Sequence, residues 1–383
     1  MTKKVLIYST AYYPFVGGAE VAIKEITDRL TDDYEFQMIT ALMDRKLPRQ
    51  EKVGNILVHR IGFGQPKLDK LYLAAFGYKK GLKLHRKNNY DAVWALMASF
   101  GGFAASKFKE IAGIKYLLTL QEGDPIDEIL AKVKIVRKKF NKIFTQAEAL
   151  QPISNYLYDW GRRMGFKGSI VEVIPNGVDV DTFTKDYPAN EIRSLRQSFG
   201  FPENAKIIVT ASRLVVKNGT EDVIKALAKL PDEYCFYICG NGELENSLKD
   251  LTKELGLEKR VNFAGFKSHQ ELPKILKAAD IFIRPSITEG LGNSFLEAMA
   301  SGIPTIGTLV GGIPDFLIDG ATGLVCEPKN IDSISKAIKR AGEMTSQEKQ
   351  KMHQEAMKTI NNKYNWGYVT GRMDNIFKTL ISK

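Results

Sequence analysis

The stretch Ile281-Phe282-Ile283-Arg284-Pro285-Ser286-Ile287-Thr288-Glu289-Gly290-Leu291-Gly292-Asn293-Ser294-Phe295-Leu296-Glu297 decides how the chain is read. Ile281 to Arg284 form a buried strand that Pro285 bars from continuing, and a short helix runs from about Ser294 to Ser301 before Gly302 and Pro304 stop it. Glu289 therefore lies in the loop and Glu297 in the helix. The glycines between them let backbone approach a ligand, and the first amides of the helix suit an anion such as a diphosphate. Carboxylates beside an anion site have another task, accepting hydrogen bonds from hydroxyls, so the ligand implied is a phosphate flanked by sugars. Taken singly, Glu289 reads as a loop end and Glu297 as a first-turn acid favoured by the helix dipole.

Outward from this segment, apolar runs alternate with amphipathic stretches, which argues for parallel sheets covered by helices on both faces, an α/β fold. The first half is expected to hold strands near Val5–Tyr8, Phe36–Ile39, Ile56–Val58, Ala92–Trp94, Tyr116–Thr119 and Val171–Ile174. The second restarts the pattern near Ile207–Thr210, Tyr234–Ile238, Val261–Phe263, Ile281–Ile283, Thr305–Ile306 and Leu324–Val325. Two Rossmann-like domains follow, 1–180 and 181–365, hinged near residue 180, where the turn Pro175-Asn176-Gly177-Val178-Asp179 leads into the polar connection from Thr182 to Glu191. Two lobes with a cleft are the expectation at this length. A final helix, from about Tyr368 to Leu380 within residues 366–383, is expected to pack back on the first domain.

The 383 residues are 44% hydrophobic and 26% charged, a globular composition. Cys235, Cys239 and Cys326 have neither metal-ligand spacing nor an even count, which points to a reducing, cytoplasmic compartment. No run approaches the roughly 18 apolar residues of a spanning helix, and the start reads as a strand rather than a signal peptide. Net charge is +11, and residues 1–185 carry 29 of the lysines and arginines against 20 acids. Residues 132–142, with Lys132, Lys134, Arg137, Lys138, Lys139 and Lys142, offer a face for anionic lipid on the inner side of the plasma membrane. Their apolar partners Ile129, Val133, Val136, Phe140 and Ile143 read as a stripe covering the core. Lys79, Lys80, Lys83, Arg86 and Lys87 form a second basic run.

Other loops add candidate ligands. Gly17 and Gly18 precede a helix from Ala19 to Leu30, but without the G-x-G-x-x-G spacing that a nicotinamide cofactor demands. Arg213, Lys217 and Asn218 follow the first strand of the second domain, where cations suit a diphosphate leaving group. Gly240 and Gly242, then Phe263 and Gly265, supply close-approach loops on the same sheet edge. Asp179 and Asp181 could bind a metal, but the cations in the 213–217 loop already offer that charge, so no metal is expected. His59, His85, His269 and His353 sit in none of these loops, and no zinc site or serine triad is visible.

Taken together, Gly17-Gly18-Ala19-Glu20, Val173-Ile174-Pro175-Asn176-Gly177-Val178-Asp179, Ser212-Arg213-Leu214, Gly240-Asn241-Gly242, the span from Glu289 to Glu297, its continuation to Pro304, and Gly311-Gly312-Ile313-Pro314 resemble the motifs of a family 4 glycosyltransferase of GT-B fold. The resemblance covers nearly the whole chain. It implies a retaining, metal-independent hexosyltransferase with two Rossmann-like domains facing across a cleft. The donor would be a UDP- or GDP-sugar, with no further cofactor, and the acceptor a saccharide or lipid-linked saccharide in glycan, polysaccharide or glycolipid synthesis. By the same resemblance Arg213 and Lys217 would hold the diphosphate, Glu289 the donor sugar and Glu297 the ribose. Gly17 and Gly18 would complete the phosphate cradle, and Gly290, Leu291, Gly292, Asn293 and Ser294 would line the donor. The family's phosphate lysine falls where Asn218 stands, so Lys217 is expected to substitute by reach. Gln121 occupies the place of a histidine near the reacting carbon, and Gln121 and Glu122 are carried as site residues without roles. Competing readings are a nucleotide-sugar epimerase, a GT-B phosphorylase, or a non-catalytic basic protein binding lipid or nucleic acid. The lack of interleaved surface aromatics argues against a nucleic-acid partner.

Overall fold

The computed structural model describes residues 2–382, so Met1 and Lys383, the outer limits of the domain ranges read from sequence, lie outside it. It divides into two compact units: the chain up to Gly177 together with Trp366 onward, and Val178–Asn365.

In the first unit β1 (Lys3–Tyr8), β2 (Tyr34–Ala41), β3 (Gln50–Val53), β4 (Ile56–Ile61), β5 (Ala92–Leu96), β6 (Lys115–Leu120), β7 (Ala149–Pro152) and β8 (Ile170–Val171) form one sheet. The strand order is β3-β4-β2-β1-β5-β6-β7-β8. Every pairing is parallel except β3 with β4. Val5, Leu6 and Ile7 are all fully buried, which a strand permits only when both sheet faces are covered. Helices Pro66–Asn88, Phe100–Ala112 and Arg137–Thr145 form one covering layer, and helices Gly18–Arg29 and Trp366–Ser382 pack together on the sheet as well. The last helix inserts Phe377 against Trp94, ring centroids 5.3 Å apart, and Asp374 accepts a 2.8 Å hydrogen bond from the Tyr34 hydroxyl.

The second unit holds β9 (Lys206–Ala211), β10 (Tyr234–Cys239), β11 (Val261–Gly265), β12 (Ile281–Arg284), β13 (Thr305–Gly307) and β14 (Leu324–Val325), all parallel, in the order β11-β10-β9-β12-β13-β14. Chain direction across the sheet reverses between β9 and β12, so the loops leaving these two strands flank the switch point where doubly wound sheets bind ligands. In the first unit the corresponding point lies between β1 and β5.

Two strands went unread in the sequence, β3 and β7, and the strand expected at Val171–Ile174 is confined to Ile170–Val171. The basic stretch 132–142 is not one helix. It breaks into a helix Ile126–Lys132, a 3-10 turn Lys134–Val136 and the helix Arg137–Thr145. Of the stripe expected to cover the core, Phe140 and Ile143 are buried, whereas Ile129 and Val133 are half-buried and Val136 is exposed. Asp179 caps the helix Val180–Thr184 by accepting from the Thr182 amide at 3.2 Å and its hydroxyl at 2.6 Å. Among the described residues no helix is long and apolar enough to cross a membrane, and no group of three or more acids, histidines or cysteines is placed to hold a metal ion.

Candidate active site

Arg284 ends β12 and is buried with only 7% exposure, a position an arginine tolerates only when its charge is paired. Its guanidinium pairs with the Glu289 carboxylate, donates to Ser286 Oγ at 3.1 Å and Ser294 Oγ at 3.0 Å, and lies over the Phe295 ring at 4.6 Å. Glu289 is thus held from one side by Arg284 and from the other by the Gly290 amide, which donates to it at 3.0 Å. Its own carbonyl accepts from the Gly312 amide at 3.2 Å. A Cβ on Gly311 would stand 1.7 Å from that carbonyl oxygen, so the Gly311-Gly312 pair is what lets the second loop press on Glu289.

Several residues expected to line the donor also support the acid. Ser294 commits its hydroxyl to Arg284 and Gly290 commits its amide to Glu289. Leu291 is 1% exposed and packs in the core. Gly292 adopts φ 97°, and a Cβ there would lie 2.6 Å from the Phe295 ring and 3.0 Å from the guanidinium. It is the N-cap of helix Asn293–Ala300, which begins one residue before the expected Ser294.

Across the switch point Arg213 follows β9 and is exposed, while Lys217 is half-buried in a 3-10 turn, Val216–Asn218. The two loops are tied together: the Ile287 amide donates to the Lys217 carbonyl at 2.7 Å, and a Cβ on Gly219 would meet the Pro285 carbonyl at 2.4 Å. This brings Arg213 and Lys217 to the same strand-end edge as Glu289. Asn218, expected as a ligand contact, is instead buried and donates its side-chain amide to the Arg213 carbonyl at 2.7 Å. It braces the loop that presents Arg213.

Gly240 and Gly242 meet a packing requirement between loops of the protein. A Cβ on Gly240 would stand 1.8 Å from the Ser212 carbonyl oxygen and one on Gly242 2.2 Å from that of Leu214. Gly265, at φ 69°, accepts from the Gly240 amide at 2.8 Å, and Phe263 is half-buried beneath Lys249. The loop after β11 also carries His269, which sequence reading left outside every site. Its Nε2 lies 3.4 Å from Glu297 and its ring meets Phe183 edge-on at 5.0 Å. A histidine on the loop after the third strand of a doubly wound sheet was the available signal, because all such loops share one edge.

In the first unit Gly17 caps the helix Gly18–Arg29, and its amide donates to the Glu20 carboxylate at 2.8 Å. That amide is therefore taken by an acid of its own helix. Burial raises the Glu20 carboxyl above its ordinary value, while the amides of Glu20 and Gly17 oppose the rise. Gln121 accepts from Asn176 at 3.2 Å. Glu122 is 8% exposed, and one of its oxygens accepts from the Ala98 amide at 2.6 Å while the other has no hydrogen-bond partner. Burial pushes its carboxyl up to about 7, with Asp124 adding and the amides of Ala98, Glu122 and Gln121 opposing.

The sign of this shift makes a test. An unfolded chain ionises Glu122 near the ordinary 4.5, while the folded protein keeps the proton to about 7, so native stability falls as pH rises through that window and then levels. Glu122→Gln keeps an acceptor for Ala98 and cannot ionise. It is expected to gain stability over the parent at about pH 8 but not at about pH 4, by up to a few kcal/mol in urea unfolding. An offset that stays constant across that range would contradict a protonated Glu122.

Two family models match the chain: Glycosyltransferase Family 4 over residues 16–182 and Glycosyl transferases group 1 over residues 191–359. An uncharacterized glycosyltransferase of Methanocaldococcus jannaschii is 26% identical over 98% of both chains. A GDP-mannose-dependent monoacylated alpha-(1-6)-phosphatidylinositol monomannoside mannosyltransferase of Corynebacterium glutamicum is 31% identical over 66% of this chain and 67% of its own. Among solved structures, sucrose-phosphate synthase of Thermosynechococcus elongatus superposes with a TM-score of 0.86 at 19% identity, covering 100% of both chains. HepE of Anabaena, crystallised with UDP and glucose, gives 0.80 at 18% identity, covering 98% of this chain and 100% of its own.

Proposed function

Because the chain belongs to glycosyltransferase family 4 and has the GT-B fold, we propose that it is a retaining, metal-independent transferase moving a hexose from a UDP- or GDP-sugar to a saccharide or lipid-linked acceptor. The observation that carries this reading is the pairing of two loops at the switch point of the second sheet. One presents Arg213 and Lys217, and the other presents Glu289 clamped by the buried Arg284. The barrier in sugar transfer is the departure of a charged diphosphate from an oxocarbenium-like carbon, and fixed cations stabilise that charge as it develops. Glu289, pinned from two sides, accepts from donor-sugar hydroxyls without reorganising. Glu297, beside His269, takes the ribose hydroxyls. A GDP-mannose-dependent relative and a fold neighbour holding UDP and glucose support the two donor bases.

The resemblance makes the first domain the acceptor side, and its basic charge supports a cytoplasmic enzyme peripheral to the inner face of the plasma membrane, with residues 132–142 among its contacts. The product would enter glycan, polysaccharide or glycolipid synthesis. The test is a panel of UDP- and GDP-sugars with saccharide and lipid-linked acceptors, run with and without a chelator. The expected result is release of UDP or GDP coupled to a product whose anomeric configuration matches the donor's, unchanged by chelation. An inverted product, or activity lost on chelation and restored by a divalent ion, would overturn the corresponding part of the proposal. An altered sugar released with no acceptor present would replace it with an epimerase.

A further inference from the structure

Helix Pro66–Asn88 buries Leu73, Gly77, Gly81 and Leu84, spaced as one stripe. Its contacts with the adjacent helix and with the sheet are close: a Cβ on Gly77 would stand 2.9 Å from Ala104 Cβ, and one on Gly81 1.9 Å from the Tyr8 hydroxyl oxygen. With that face committed, the opposite side carries large apolar residues into solvent: Leu68 is 52% exposed, Leu71 58% and Phe76 44%, with Phe63 just before the helix at 55%. They are joined rather than scattered. Phe63 meets Tyr72 edge-on at 5.1 Å, Tyr72 meets Phe76 at 5.1 Å, and Lys79 lies over Phe76 at 5.2 Å. A connected exposed apolar patch on one helix marks an interaction surface.

The charge around it identifies the partner. The helix carries seven lysines and arginines against one acid, Asp69. Asp69 is fully buried, its carboxylate taken by the amides of Met43, Phe63, Gly64 and Gln65, so it offsets nothing at the surface. Among the described residues Lys67, Lys70, Lys79 and Lys83 form no ion pair. Burial first, then the charges of Lys83 and Lys87, lower the pKa of Lys80, as expected for cations crowded without counter-charge. The 3-10 turn Lys134–Val136 adds a second tip, Ile135, which is completely exposed. Phe63 follows the carboxyl end of β4, and the turn carrying Ile135 opens the helix Arg137–Thr145 that returns the chain to the start of parallel β7, so both lie toward the carboxyl-end edge of one sheet, in the same helical layer.

We infer that the first domain docks on an anionic bilayer through this rim, with Phe63, Leu68, Leu71, Phe76 and Ile135 entering the headgroup boundary and the flanking lysines pairing with lipid phosphates. The inference deepens the peripheral-membrane reading above and rests on it. It moves the centre of contact from residues 132–142, whose helix buries Phe140, Ile143 and Phe144, to residues 63–80. It also sets the bilayer at the sheet edge that carries Gln121 and Glu122.

The test is co-sedimentation of the full chain with vesicles of phosphatidylcholine alone or mixed with phosphatidylglycerol, at low and high salt. The parent is expected to bind the anionic vesicles, more weakly at high salt, and the neutral ones poorly. Leu71→Asp with Phe76→Asp is expected to lower the bound fraction roughly tenfold while leaving the melting temperature and nucleotide-sugar hydrolysis of the lipid-free protein unchanged. Because these side chains are exposed, the variants should fold, and Leu71→Ala with Phe76→Ala provides a milder pair expected to fall between. If the double aspartate variant binds as the parent does while charge reversal at Lys132, Lys134 and Lys138 abolishes binding, the rim is overturned and the peripheral reading stands. If the parent shows no preference for anionic vesicles, both are overturned.

Discussion

Replacing Arg213 with alanine is expected to lower the rate of sugar transfer about a hundredfold to a thousandfold, the usual effect of removing one group that stabilises developing negative charge. Melting temperature should hardly move. Arg213 is exposed, and the loop is held by its main chain: its carbonyl accepts from Asn218 at 2.7 Å and from the Val215 amide at 3.0 Å. Those bonds survive the substitution, and exposed substitutions away from such features usually stay within about 0.5 kcal/mol. Arg213→Lys should restore only part of the rate, since an ammonium offers a point charge where a guanidinium offers a planar fork to two phosphate oxygens. Asn218→Ala should lower activity through a different route, loosening the loop and reducing stability together. Steady-state kinetics alongside thermal unfolding separates the two. Full activity in Arg213→Ala would remove the diphosphate assignment.

That contrast shows what the sequence carries and what it conceals. The second sheet was legible almost strand by strand, because a strand buried on both faces is written as an apolar run and Pro285, Gly302 and Pro304 mark its borders. β7 was not, because Ala149-Leu150-Gln151-Pro152 is too short and too polar to stand out; Gln151 is tolerated there because Thr119 and the Ile174 carbonyl satisfy its amide. β3 is an edge strand of alternating exposure, held only by β4. In the site, the types of residue and their strand ends were readable, but their duties were not. A glycine reads the same whether it admits a ligand or another loop, and the demand of the other loop appears only in the 1.8 Å clearance at Gly240 and the 1.7 Å clearance at Gly311. Asn218 and Lys217 are adjacent letters, yet one turns inward and the other stays partly exposed. Arg284 was read as the end of a strand. An arginine closing a fully buried run needs a buried acid, and Glu289 five residues on was the one to look for.

Arg284→Met is expected to be the most damaging single change in the second domain. The arginine and Glu289 side chains are only 9% and 16% exposed, and removing one partner of a buried pair leaves the other charge desolvated, at a cost of about 3–5 kcal/mol. Activity should be lost as well, since Glu289 would retain only the Gly290 amide to fix its direction. The double variant Arg284→Met with Glu289→Gln separates the two consequences. It removes both charges, so stability should recover most of the way toward the parent, as happens when a buried pair is replaced by neutral groups of similar size. Transfer should stay at the level of Glu289→Gln alone, because both variants lack the carboxylate at position 289. Conversely, Ser294→Ala removes one 3.0 Å bond to the guanidinium and leaves the ion pair, so it should cost about 1 kcal/mol with a small loss of rate. Urea unfolding of the parent and the four variants, set against their kcat and KM for the donor, tests the arrangement. If Arg284→Met keeps the parent's stability, or the double variant regains transfer while lacking the carboxylate, then Arg284 does not serve to hold Glu289 in place.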